Sequence, residues 1–134
     1  MQRQLYFTVT ALIEGATGVA LVVAPAAVLK LLLGTLQPLA ETLVAARIAG
    51  AALLALGLSC WLARNDYLAP SQRGLLLGML LYDAAAALLL TLSGTRWNMT
   101  GIGLWPAIVL HSALVAWSLA CLATRSPPSA ATHC

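Results

Sequence analysis

Charge is what this 134-residue chain has least of: seven Lys and Arg, four Asp and Glu, 8% in all. A soluble domain carries roughly 25% charged residues. At 61% hydrophobic, a soluble chain this short has too little interior to hide its apolar surface. Lipid removes that difficulty by covering the outer face of a membrane protein. Basic runs and aromatic-basic interleaving are missing too, so the net charge of +3 indicates no nucleic-acid partner. P-loop, G-x-S-x-G and H-E-x-x-H patterns are absent, and Gly101-Ile102-Gly103 lacks the strand-turn-helix setting of a dinucleotide site. These motifs leave an enzymatic role without support. Cysteine is scarce and odd in number, three in all, with no metal or redox spacing, which argues against structural disulfides. Cys60 and Cys121 read as small buried hydrophobes.

Long apolar stretches are abundant. They run over residues 5–23, 39–62, 74–92 and 101–123, each close to the roughly 20 residues that span a bilayer as a helix. Leu- and Ala-rich composition without period-two alternation favours helices over barrel strands. The expected fold is therefore all-α: one integral membrane four-helix bundle over residues 1–125, with a disordered tail over 126–134. Pro25 stops or kinks the first helix, and Pro38 suits the first turn of the second. Asn65-Asp66 and Pro70-Ser71 predict a polar turn, and Ser93-Gly94-Thr95 the end of the third helix. Between Pro25 and Gly34, Ala-Ala-Val-Leu-Lys-Leu-Leu-Leu is too short to span. It reads as a short interfacial helix stopped by Gly34, or as a continuation of the first helix past a kink. Glu14 within the first apolar run argues for a retained helix over a cleaved signal peptide.

Arg3, Arg64, Arg73 and Arg125 share one side of this layout, and Lys30 and Arg96 the other. Basic short loops stay in the cytoplasm. Both termini are thus expected in the cytoplasm. Trp61, Trp97 and Trp105 fall near the interfaces, where an aromatic belt accounts for them. Asn98-Met99-Thr100 reads as a chance glycosylation sequon.

Four ionisable residues interrupt the apolar stretches, one in each: Glu14, Arg47, Asp83 and His111. A charge at membrane depth costs at least about 2.5–3.5 kcal/mol, so such residues face the bundle interior, pair, or mark a site. All four come within reach of one layer, although the long Arg47 side chain can also reach outward to the headgroups. Thr10, Ala11, Thr17 and Gly18 share the face of Glu14, and Gly50, Ala51 and Gly57 that of Arg47. Small residues let helices approach, and polar ones then bond across the seam. The expectation is a buried polar centre of Glu14, Arg47, Asp83 and His111, serving either as a packing network or as a proton or ligand site. One deep histidine supplies one ligand, so neither a metal nor another cofactor is expected. Tyr82 points about 100° away from its neighbour Asp83, which leaves a partnership between them open.

The stretch from Gly18 to Pro25, followed by Arg47-Ile48-Ala49-Gly50-Ala51-Ala52 and the Leu-rich run from Leu53 to Leu58, resembles the small four-helix bacterial membrane proteins of the broad DoxX-like group. That resemblance implies an architecture more than an activity. Some members are similar to subunits of quinone-linked oxidoreductases. A single Glu in the middle of the first helix, here Glu14, is also similar to the small multidrug resistance transporters. In those proteins that Glu binds protons or cationic drug within a dimer. Arg47, Asp83 and His111 depart from the transporter pattern, and the aromatic residues around the Glu are missing. Two functions follow, the first favoured because four helices make a small bundle with little room for a substrate path unless it oligomerises. One is a membrane subunit or interaction protein, held by its polar centre against lipid and a partner chain. The other is a proton-coupled small-molecule carrier acting as a homo-oligomer.

Overall fold

The computed structural model describes residues 2–66 and 70–123. They form five helices: α1 (Gln2–Val23), α2 (Pro25–Leu33), α3 (Ala40–Ala63), α4 (Pro70–Thr95) and α5 (Leu104–Ala123). Four of them, all but α2, are long and apolar enough to cross a membrane. The tail over 126–134, expected to be disordered, lies outside the described residues.

Helix ends follow local chemistry. The chain breaks at Ala24 (φ −132°, ψ 57°), and Pro25 opens α2 at a position where its missing N–H costs nothing. The segment is therefore a separate nine-residue helix and not a continuation of α1. Gly34, at φ 75°, closes it in the left-handed conformation that a glycine adopts without steric cost. α4 is longer than expected at both ends. Pro70 and Ser71 open the helix instead of forming a turn, as a first-turn proline allows. Ser93, Gly94 and Thr95 remain helical, and the hydroxyls of Thr91, Ser93 and Thr95 each donate to the carbonyl four residues back, at 2.7–2.8 Å, so these polar groups are satisfied within α4.

Carbonyls left over at the C-terminal ends of helices take donors from neighbouring helices. Arg47 Nε of α3 donates to the Val22 carbonyl of α1 at 3.3 Å. Arg3 Nε of α1 donates to the Cys121 carbonyl of α5 at 3.2 Å, and Gln72 Nε2 of α4 to the Ala63 carbonyl of α3 at 3.1 Å.

α1 packs chiefly on α3, and α4 on α5. The first pair meets through glycine. A Cβ added to Gly18 would stand 2.7 Å from the Gly50 carbonyl oxygen, and one added to Gly50 would stand 2.8 Å from that of Gly18. Backbones this close leave no room for a side chain. One half of the bundle is closed: Tyr6, Phe7, Cys60, Leu76, Met79, Leu114 and Cys121 join all four long helices in one core. Tyr6 meets Phe7 and Trp117 edge-on, with ring centroids 5.6 and 5.7 Å apart. In the other half a smaller cluster, Leu21, Ala46 and Leu53, comes from α1 and α3, with Val28 and Leu29 of α2 and Tyr82 of α4 packed against it. The facing positions there are short side chains, Ala49 and Ala52 on α3 and Ala85 and Ala86 on α4, and a cleft of about 470 Å³ separates the two helix pairs. Leu32 of α2 lines its far end. The C-terminal end of α2 is pinned by the loop before α5, where the Gly103 N–H donates to the Leu31 carbonyl at 2.8 Å.

Candidate functional site

The polar residues lie at the boundary between the closed half and the cleft. Glu14 comes from α1, Asp83 from α4 and His111 from α5, and one donor atom from each lies within 4.8 Å of the other two. Glu14 and Asp83 are 1% and 0% exposed, so neither carboxyl has water to solvate it. His111 Nδ1 and Asp83 Oδ1 are 2.8 Å apart. A carboxylate only accepts, so the imidazole donates through Nδ1–H and keeps Nε2 for another partner. His111 also lines the cleft. The dyad therefore adjoins space in which a small molecule fits.

Two oxygens of the cluster, Glu14 Oε1 and Asp83 Oδ2, are buried with no hydrogen-bond partner among the described residues. Buried polar atoms are satisfied in the great majority of cases, and an orphan calls for a water, an ion or a ligand. The hydroxyls of Tyr6 and Thr10 are in the same situation. They sit on the face of α1 that carries Glu14, one and two turns back, so orphan oxygens continue from the centre into the closed core.

Three of the four expected residues are thus together, and Arg47 is not. Arg47 is exposed, and its guanidinium is spent on the carbonyl of Val22. The physical reason is the break at Pro25. It leaves the last carbonyls of α1 without N–H partners and with the negative end of the helix dipole, and a long cation on the adjoining helix satisfies both. Gly50 and Gly57 do face α1, as their small size suggested, but Arg47 lies on the flank of that contact.

Tyr82 is the site residue that sequence reasoning left open. Its ring meets His111 edge-on at 5.8 Å and 81°, and its hydroxyl lies in hydrogen-bonding reach of Glu14. The neighbour of Asp83 in sequence therefore partners Glu14, on a different helix. Tyr6 was missed altogether. The only signal for it was its place two turns before Glu14 on the same helical face.

The cluster can exchange protons among two carboxylates and an imidazole, hold a cation, or orient a ligand through His111 and Tyr82. No protein-family model matches this chain, and neither a curated protein nor a solved structure does.

Proposed function

We propose that this chain is a proton-coupled carrier of the bacterial inner membrane, with both termini in the cytoplasm as its arginine distribution favours. It takes a small, largely apolar molecule into the cleft between its two helix pairs and exchanges protons at Glu14, Asp83 and His111 as it does so. The observation that carries this reading is that the three ionisable side chains lie together and that one of them, His111, lines the apolar cleft. Two carboxyl groups at the end of a greasy slot favour a ligand with an apolar body and a positive head, and a proton and that head compete for the same oxygens.

The test uses chains reconstituted in vesicles with a pH-sensitive dye inside and a hydrophobic quaternary ammonium cation as probe. Uptake of the probe is expected to drive protons the other way. Glu14→Gln and Asp83→Asn are expected to abolish both fluxes. Ala86→Phe, which fills the cleft from α4 without touching a carboxyl, is expected to abolish probe uptake. Fluxes left unchanged by all three substitutions would rule the carrier out.

A second reading, a subunit or interaction protein of the DoxX-like kind, is favoured by one observation. α3 and α4 barely meet, although both line the cleft with alanines among larger apolar side chains, which leaves room for a helix from another chain. Native mass spectrometry of protein released gently from its own membranes separates the two. A defined heteromer supports the subunit, and a homo-oligomer supports the carrier.

A further inference from the structure

We infer that Glu14, Asp83 and His111 form a binding site for a divalent first-row transition cation at the inner end of the cleft. The inference rests on the reading above that this cluster is a working centre and not a packing device, and it specifies what the centre holds besides protons.

Charge balance is the first support. Two carboxyl groups, both essentially unexposed, stand within 4.8 Å of each other beside one imidazole. Arg47, the cation that the sequence offered for them, is engaged at the end of α1. The other titratable groups around the cluster are Tyr6 on α1, Cys60 on α3 and Tyr82 on α4. Phenols and thiols are ordinarily neutral near pH 7 and add no positive charge. A cation that displaces the protons of both carboxyl groups beside a neutral histidine meets a charge of minus two, which one divalent ion cancels. Metal ions are among the partners that buried charges regularly take.

The second support is independent of charge. Glu14 Oε1 and Asp83 Oδ2 are fully buried and have no partner among the described residues. Both have an accepting lone pair to offer and nothing to accept from. Nitrogen and carboxylate donors bind such an ion at about 2.0–2.2 Å, so donors on one ion stand about 3–4 Å apart. Spacings of up to 4.8 Å close to that range with side-chain shifts of under about 1 Å, and no helix has to move. One imidazole and two carboxylates suit Mn, Fe, Co or Zn better than the soft ions that prefer sulfur. Tyr82, against both His111 and Glu14, holds two of the three ligands in place from outside. Three protein donors leave a coordination position open, and His111 lines the cleft, so a molecule in the cleft lies next to the ion. The sequence offered one deep histidine and no ligand spacing. The fold supplies the other two donors from two other helices.

The test is Co²⁺ titration of the full-length protein in zwitterionic nanodiscs after chelator treatment, followed by visible absorption and by equilibrium dialysis. One Co²⁺ per chain is expected, with binding that weakens as pH falls because protons compete for the ligands. Glu14→Gln and Asp83→Asn are each expected to weaken it by at least about 100-fold, beyond the roughly 10–100-fold typical of losing an outer-shell partner. Glu41→Gln, in the first turn of α3 and away from the cluster, is expected to leave it unchanged. His111→Cys covers the case in which those variants fold poorly: a thiolate on the ion gives an intense near-ultraviolet charge-transfer band that a merely structural role would not produce. Absence of stoichiometric Co²⁺ overturns the inference, and if probe-driven proton flux persists in that case the carrier reading survives it. Binding that outlasts Glu14→Gln, with no new band in His111→Cys, places the ion elsewhere, such as at His133 and Cys134, and overturns it as well.

Discussion

His111→Leu is expected to destabilise the bundle by about 1–3 kcal/mol, the cost of leaving a buried acceptor without its donor. The imidazole is the donor that Asp83 Oδ1 accepts from at 2.8 Å. Without it, two carboxyl groups stand close together in the bundle interior, and Asp83 loses the donor it has. Leucine fills a similar volume, so a cavity does not account for the loss. Adding Asp83→Leu is expected to recover most of it, because replacing both partners by apolar groups removes the unmatched charge together with its need for a partner. Denaturant titration in mixed micelles of the wild type, the two single variants and the double variant gives the coupling directly. A double variant as unstable as His111→Leu alone would mean that the two side chains do not act as a pair. The same double variant separates stability from function. It is expected to fold and to carry neither protons nor probe. A purely structural centre would lose nothing else when it is replaced by leucine.

The second large effect is expected at the contact between α1 and α3. Gly18→Val places a Cβ 2.7 Å from the Gly50 carbonyl oxygen and 2.9 Å from the backbone nitrogen of Leu54. Neither neighbour is the free end of a flexible side chain, so the helices must separate. Overpacking costs about 1–3 kcal/mol in soluble cores, and more where backbone is what has to yield. Gly50→Val meets Gly18 from the other side at 2.8 Å and is expected to act alike, whereas Gly78→Val, with nothing within 4 Å of its added Cβ, serves as the neutral control. Separation also draws Glu14 away from Asp83 and His111, since Glu14 lies one turn from Gly18 on α1. Gly18→Val is therefore expected to lose Co²⁺ binding along with stability. Equal stability of the Gly18 and Gly78 variants would show that the two helices are not held by this approach.

The four long helices were legible in the sequence because lipid imposes one rule along the whole chain. About 20 apolar residues with every backbone group bonded internally make a spanning helix, wherever the other helices lie. The same rule exposed Glu14, Asp83 and His111, since each breaks an otherwise apolar run. Pro25 and Gly34 marked the ends of α2 for equally local reasons, a missing N–H and a left-handed backbone. What the sequence could not contain was which helix faces which. The hydrophobic pattern of a membrane helix is nearly uniform around its axis, because lipid and protein neighbours are equally apolar. Arg47 was accordingly assigned to the centre by depth, and it was the partner-less carbonyls of α1 on the next helix that drew it away. Ser93, Gly94 and Thr95 were assigned to a helix end by composition, yet α4 runs through them with the Ser93 and Thr95 hydroxyls bonded to carbonyls of the preceding turn. Tyr82 joins Glu14 only because α1 and α4 bring them together. The cleft likewise depends on assembly. Ala49, Ala52, Ala85 and Ala86 are unremarkable on their own helices, and they enclose space only where two helix pairs set them face to face.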